Sequence, residues 1–235
     1  MKKGSDFNDL TKRLIEHFSS QLISVIAHQS ALFSSSGESP LLLIFEDSYE
    51  NSEFYKKIGK DTPLLRYFQN HPPLIFCKKE IPAGSDIFPI EFYEFQDTEQ
   101  VLFGESLQTM IQIEPEHLRL QIESNLRRNI ILLRQNFLPH QTFLAEPLKA
   151  SFANTLVTLK NVLRLKTIPF EGLSDRERLS LLASKFGLNE ALLLDLYQRL
   201  SVSHRRTRRS QWKTLYHSYL ADLSRLVDQI DLLIL

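Results

Sequence analysis

Residues 30–47 read SALFSSSGESPLLLIFED. Three serines, Gly37 and Pro40 break any helix, and LLLIF then runs unbroken into Glu46 and Asp47. A short apolar run between polar flanks reads as a buried strand over 41–46. The turn before it has two readings. Ser34, Ser35, Ser36 and Gly37 offer hydroxyls and backbone N–H groups to a phosphate, or they form an ordinary polar loop from a helix into a strand, which is the favoured reading.

Before this turn, residues 6–28 carry Phe7, Leu10, Leu14, Phe18, Leu22 and Ile26 at helical spacing, which predicts one amphipathic helix. After the strand, a second helix is expected over 52–69. The two prolines of HPPLIFCKKEI bar a helix, and LIFC at 74–77 reads as another strand. DIFPIEFYEFQ at 86–96 reads as a strand with mixed faces, with Pro89 at its start or edge because proline cannot donate to a ladder. QVLFGES at 100–106 ends in a glycine turn.

Beyond about residue 113 only helical signals remain. Pro115 opens a helix striped by Leu118, Ile122, Leu126, Ile130, Leu133 and Phe137. Pro147 opens the next, with Leu148, Phe152, Leu156, Leu159 and Leu163. Ser174 and Glu177 form a capping box, Gly187 closes that helix, and Asn189 caps a shorter one. A long last helix carries Trp212, Leu215, Tyr219, Leu223, Leu226, Ile230 and Leu233. Striped helices on short links predict an antiparallel bundle. The expected fold is α+β: a small mixed sheet with flanking helices over 1–112, then an all-α bundle over 113–235.

Composition narrows the function classes. Lys+Arg and Asp+Glu both number 28, so no global field draws the chain to nucleic acid or anionic membrane. The apolar runs fall short of the ~20 residues that span a bilayer, and MKKGSDFNDL lacks the apolar core of a secretory signal. A single cysteine, Cys77, allows no internal disulfide and fits a cytoplasmic setting. Metal-ligand spacings of Cys and His are missing, as are Gly-x-Gly-x-x-Gly, Walker and Gly-x-Ser-x-Gly motifs. No metal, cofactor or catalytic nucleophile is expected.

Four segments carry a family resemblance: PLLLIFED (40–47), DIFPIEFYEFQDTEQVLFGE (86–105), PEHLRLQIESNLRRNIILLRQNFL (115–138) and LYHSYLADLSRLVDQID (215–231). Together they resemble a bacterial group with a nucleotidyltransferase-like α/β domain followed by a helical domain. The resemblance implies a Gly-Ser turn on the phosphates, two Asp at i and i+2 at the following strand, and a third acid from a neighbouring strand. Such carboxylates seat Mg²⁺ for phosphoryl chemistry. Here the turn position carries Ala31-Leu32-Phe33-Ser34, and the paired-acid position reads Ser39-Pro40-Leu41. Glu38 is the only acid nearby, and Glu91 in FPIEF stands either as the remaining third acid or as a surface acid. Glu46 and Asp47 sit at the far end of the strand on opposite faces. The expectation is therefore a non-catalytic relative that binds or regulates, with a nucleotide or an unknown protein as partner. The rival is a Mg²⁺-dependent enzyme using Glu38 and Glu91.

Two other segments invite nucleic-acid readings. LLASKFGLNEALLLDLYQRL at 181–200 has helix-turn-helix spacing, but Glu190 and Asp195 stand where a recognition helix needs donors, so a plain two-helix corner is expected. HRRTRRSQWK at 204–213 gathers Arg205, Arg206, Arg208 and Arg209 beside Trp212. A phosphate or RNA contact competes there with a solvated loop, and the loop is favoured, with Trp212 in the core.

Overall fold

The computed structural model describes residues 3–28, 41–49, 51–137, 144–201 and 209–233. The chain divides into two compact units, Met1–Ile113 and Glu114–Leu235. The first holds a mixed four-stranded sheet with helices; among its described residues the second has helices as its only regular elements.

In the first unit, α1 (Lys3–Phe18) leads into β1 (Leu22–Ala27), which pairs antiparallel with β2 (Leu41–Phe45). The expected single helix over 6–28 is thus a helix and a strand. Leu22 and Ile26 continue the spacing of Leu10, Leu14 and Phe18 by coincidence. The chain actually turns at 19–21, where Gln21 N–H donates to Phe18 O at 2.8 Å. Beyond it, Ile23, Val25 and Ile26 are β-branched and favour the pleat.

The expected helix over 52–69 is two, α2 (Asn51–Ile58) and α3 (Thr62–Asn70). Asp61 separates them. Its carboxylate caps α3 through Leu64 N–H at 3.0 Å, and Pro63 sits in the first turn of α3. β3 (Leu74–Cys77) then lies parallel to β2.

The strand expected over 86–96 is instead helical: α4 (Glu80–Ile87) followed by α5 (Pro89–Thr98). Pro89 takes the first position of α5, where its missing N–H and fixed φ cost nothing. Ile90, Phe92 and Phe95 are buried, so α5 is apolar around much of its girth, and that pattern mimics the alternation of a strand. β4 (Gln100–Gly104) completes the sheet in the order β3-β2-β1-β4, pairing antiparallel with β1.

Both faces of the sheet are covered. Leu41, Leu43 and Phe45 pack with Leu10, Leu14 and Phe18 of α1, Phe54 of α2 and Leu64 of α3. Leu42 and Ile44 point the other way, onto Ile81 of α4 and Phe92 and Phe95 of α5. Every residue of β2 is fully buried, as a central strand between two helical layers requires. Each such side chain contributes roughly 1.5–3 kcal/mol of transfer free energy. Gly104 has φ +81°, and a Cβ there would lie 1.8 Å from Ile23 O, so only glycine fits.

The second unit comprises α6 (Pro115–Phe137), α7 (Ala145–Leu165), α8 (Asp175–Phe186), α9 (Glu190–Ser201) and α10 (Arg209–Asp231). Leu118, Ile122, Leu126, Ile130 and Leu133 form the buried stripe of α6. α6 runs antiparallel to α7, with Asn129 bonded to Ser151, and antiparallel to α10, with Tyr216 donating to Leu133 O at 2.8 Å. The capping box of α8 forms: Ser174 Oγ accepts from Glu177 N–H, and Glu177 Oε2 accepts from Ser174 N–H at 2.7 Å. Gly187, at φ 62°, closes the helix in the left-handed region.

Candidate functional site

The resemblance directs attention to the end of the sheet where β1 stops and β2 begins. Ala27 pairs there with Leu41 on one side and Gln100 on the other. His28 follows, fully buried, with its ring 4.7 Å from that of Phe95. Burial pushes its imidazole down to about 4, so it is neutral at physiological pH. The serine segment therefore links two antiparallel strands rather than a helix and a strand. Ser34, Ser35, Ser36 and Gly37 themselves lie outside the described residues, as does Glu38.

Of the triplet Ser39-Pro40-Leu41, Leu41 is described. It is 0% exposed and faces the core under α1. Glu91 lies in the first turn of α5, a helix rather than a strand, and α5 covers the opposite face of the sheet. The structure therefore does not bring Glu91 and Leu41 to one face, which corrects the expectation that Glu91 belongs to a neighbouring strand. Asp47 serves the backbone, accepting from Lys79 N–H at 2.8 Å. Among the described residues, no three His, Cys, Asp or Glu side chains are grouped to hold a metal ion. Cys77 has its thiol pushed up by burial and by Glu80, so it stays protonated and is a poor nucleophile.

Arg205, Arg206 and Arg208 also lie outside the described residues, and Arg209 begins α10. Trp212 is half-buried rather than core. The Arg199 guanidinium stands 5.1 Å from its ring centroid, held by two 2.9 Å bonds from Nε to the Asp195 carboxylate. One ring face is thereby taken by a cation, the position a stacked base would need.

The α8–α9 pair is a corner fastened to α10. Asp222 accepts from Asn189 N–H at 2.8 Å, and Arg225 donates to Gly187 O at 2.8 Å. Asn189 in turn caps α9 through Leu192 N–H at 3.0 Å. A recognition helix presents its N-terminal turn to a groove; here that turn is tied down by a buried carboxylate.

A feature the sequence analysis did not find is a polar cluster inside the helical unit. Asn129 Nδ2 donates to Ser151 O at 3.1 Å and to Thr155 Oγ1, and its Oδ1 accepts from Ser151 Oγ at 2.8 Å. Tyr219 OH reaches Thr155 Oγ1 at 3.0 Å, and burial pushes this phenol up to about 12. Ser151, Thr155 and Thr158 on the buried side of α7 were the available signal. Asn129 and Ser151 also border a groove of about 550 Å³ between α6 and α7, with Asn136, Glu146 and Asn154 around it.

No family model matches the chain, and no curated protein matches its sequence.

Proposed function

We propose that the chain is a nucleotidyltransferase-like protein that performs no nucleotidyl transfer and acts by binding, as a regulator or scaffold, through a partner or a retained nucleotide. The observation that carries this reading is Leu41, an apolar side chain sealed in the core, at a position where the resemblance implies a carboxylate. An acid at that position would face α1, whereas Glu91 rides on the helix across the sheet. Two-metal transfer requires carboxylates converging on the ions. Further support comes from the antiparallel β1–β2 pair joined by the serine segment, a layout suited to presenting a turn at a sheet end.

The test is calorimetric titration of the full chain with ATP, GTP and CTP, with and without Mg²⁺. The expected result is binding that is absent or indifferent to magnesium, and unchanged in Glu91→Ala. Tight magnesium-dependent binding that Glu91→Ala weakens would overturn the reading in favour of a working enzyme.

A further inference from the structure

β4 is a margin of the sheet among the described residues: it pairs with β1 and with no other strand. α1 packs against β4 as well as β1, with Leu102 and Phe103 beside its apolar residues, while Gln100, Val101 and Gly104 stay exposed. Exposed sheet edges in folded proteins are usually blunted by proline, by a charge on the strand, or by a covering element. The strand reads QVLFG and carries neither proline nor charge, and Val101 is 40% exposed. Such an edge is a template for an added strand.

Charge decides what fits it. From Glu80 to Ile113 there are seven carboxylates and no Lys or Arg, although the whole chain is neutral. Glu99 and Glu105 bracket the strand itself. Glu99 accepts from Ser106 Oγ and Leu107 N–H, and Glu105 has Lys78 Nζ at 3.6 Å. A second copy pairing antiparallel about Leu102 would set Glu99 opposite Glu105, and like charges directly opposite destabilise. A strand with an apolar centre and basic ends meets complementary charge at both.

We propose that the outer edge of β4 docks an extended partner segment, apolar at its centre and flanked by Lys or Arg, as a fifth strand of the sheet. Backbone hydrogen bonds hold it, and the acids around β4 select it. This docking does not depend on the nucleotidyltransferase-like reading.

The experiment titrates the ¹⁵N-labelled full chain with two nonapeptides that share an alternating Val/Thr centre, one flanked by lysines and one by glutamates. The lysine peptide should bind at about 10–100 μM, shift the amides of Gln100–Gly104 most, and weaken with salt. The glutamate peptide should not bind. Val101→Lys and, separately, Glu105→Lys should each weaken the lysine peptide about tenfold while leaving amide signals away from β4 in place. Three results would overturn the proposal: equal binding of both peptides, shifts centred elsewhere, or no binding at about 1 mM. A dimer that Val101→Lys dissociates would also overturn it, by giving the edge to a second copy.

Discussion

The hydroxyl of Ser24 and the backbone of Glu105 bond to each other twice: Ser24 Oγ donates to Glu105 O at 2.8 Å and accepts from Glu105 N–H at 2.9 Å. Ser24 is fully buried in the middle of the sheet. Its hydroxyl does for the end of β4 what a ladder partner would do, at the point where Gly104 turns the chain. Ser24→Ala removes both bonds and leaves the Glu105 N–H and C=O without them. It should destabilise the first unit by about 2 kcal/mol, as read by urea denaturation.

Gly104 closes the same corner. Alanine there meets Ile23 O at a distance no real contact reaches, in a left-handed conformation. The expected cost of Gly104→Ala is at least about 2 kcal/mol. A change smaller than about 0.5 kcal/mol, the scale of ordinary surface substitutions, would show that the corner is looser than described.

Two carriers of pH dependence separate by window. His28 has its folded pKa pushed down to about 4 by burial. The unfolded chain therefore binds the extra proton first, and stability falls as pH drops from about 6.5 toward 4, by about 3 kcal/mol. Asp61 behaves differently. Burial alone would raise it, but Leu64 N–H, His17 Nε2 at 2.9 Å and Arg13 at 3.4 Å outweigh burial and hold it low. Its contribution is present above the ordinary aspartate range and is lost as pH falls through its lowered folded value. His28→Gln should flatten the upper window and Asp61→Asn the lower, each read from thermal midpoints across pH 2–8.

In the helical unit, Tyr219→Phe removes a bond to Thr155 without changing the ring. It should cost about 1 kcal/mol. Asn129→Leu breaks more, because Ser151 Oγ loses its acceptor and Thr155 a donor. The double variant should cost less than the two single costs combined, as members of one network do.

The bundle was legible because its signals are local. Ser174 with Glu177, Gly187 and Asn189 each cap their own helix, and the α6 stripe repeats over 23 residues. β2 and β3 were legible because unbroken apolar runs between turn residues have few other uses. β1 was hidden because Leu22 and Ile26 fall in phase with the helix before them. α5 was hidden because its apolar residues surround it, so the helical and strand periods coincide. The site was least legible of all. Which face Leu41 takes, and which layer Glu91 rides on, depends on the register of β2 and the crossing of the chain over the sheet. Neither is written in neighbouring residues.

The pairing of Ser24 with Glu105 spans 81 positions. A chain emerging from the ribosome releases β1 and β2 long before β4 exists to flank them. Through that interval the margin of β1 stands bare, and loop closure over such a distance is slow. Fragments ending before Gln100 should therefore leave β1, mostly buried in the finished sheet, open to pairing, and should associate more than the whole chain does.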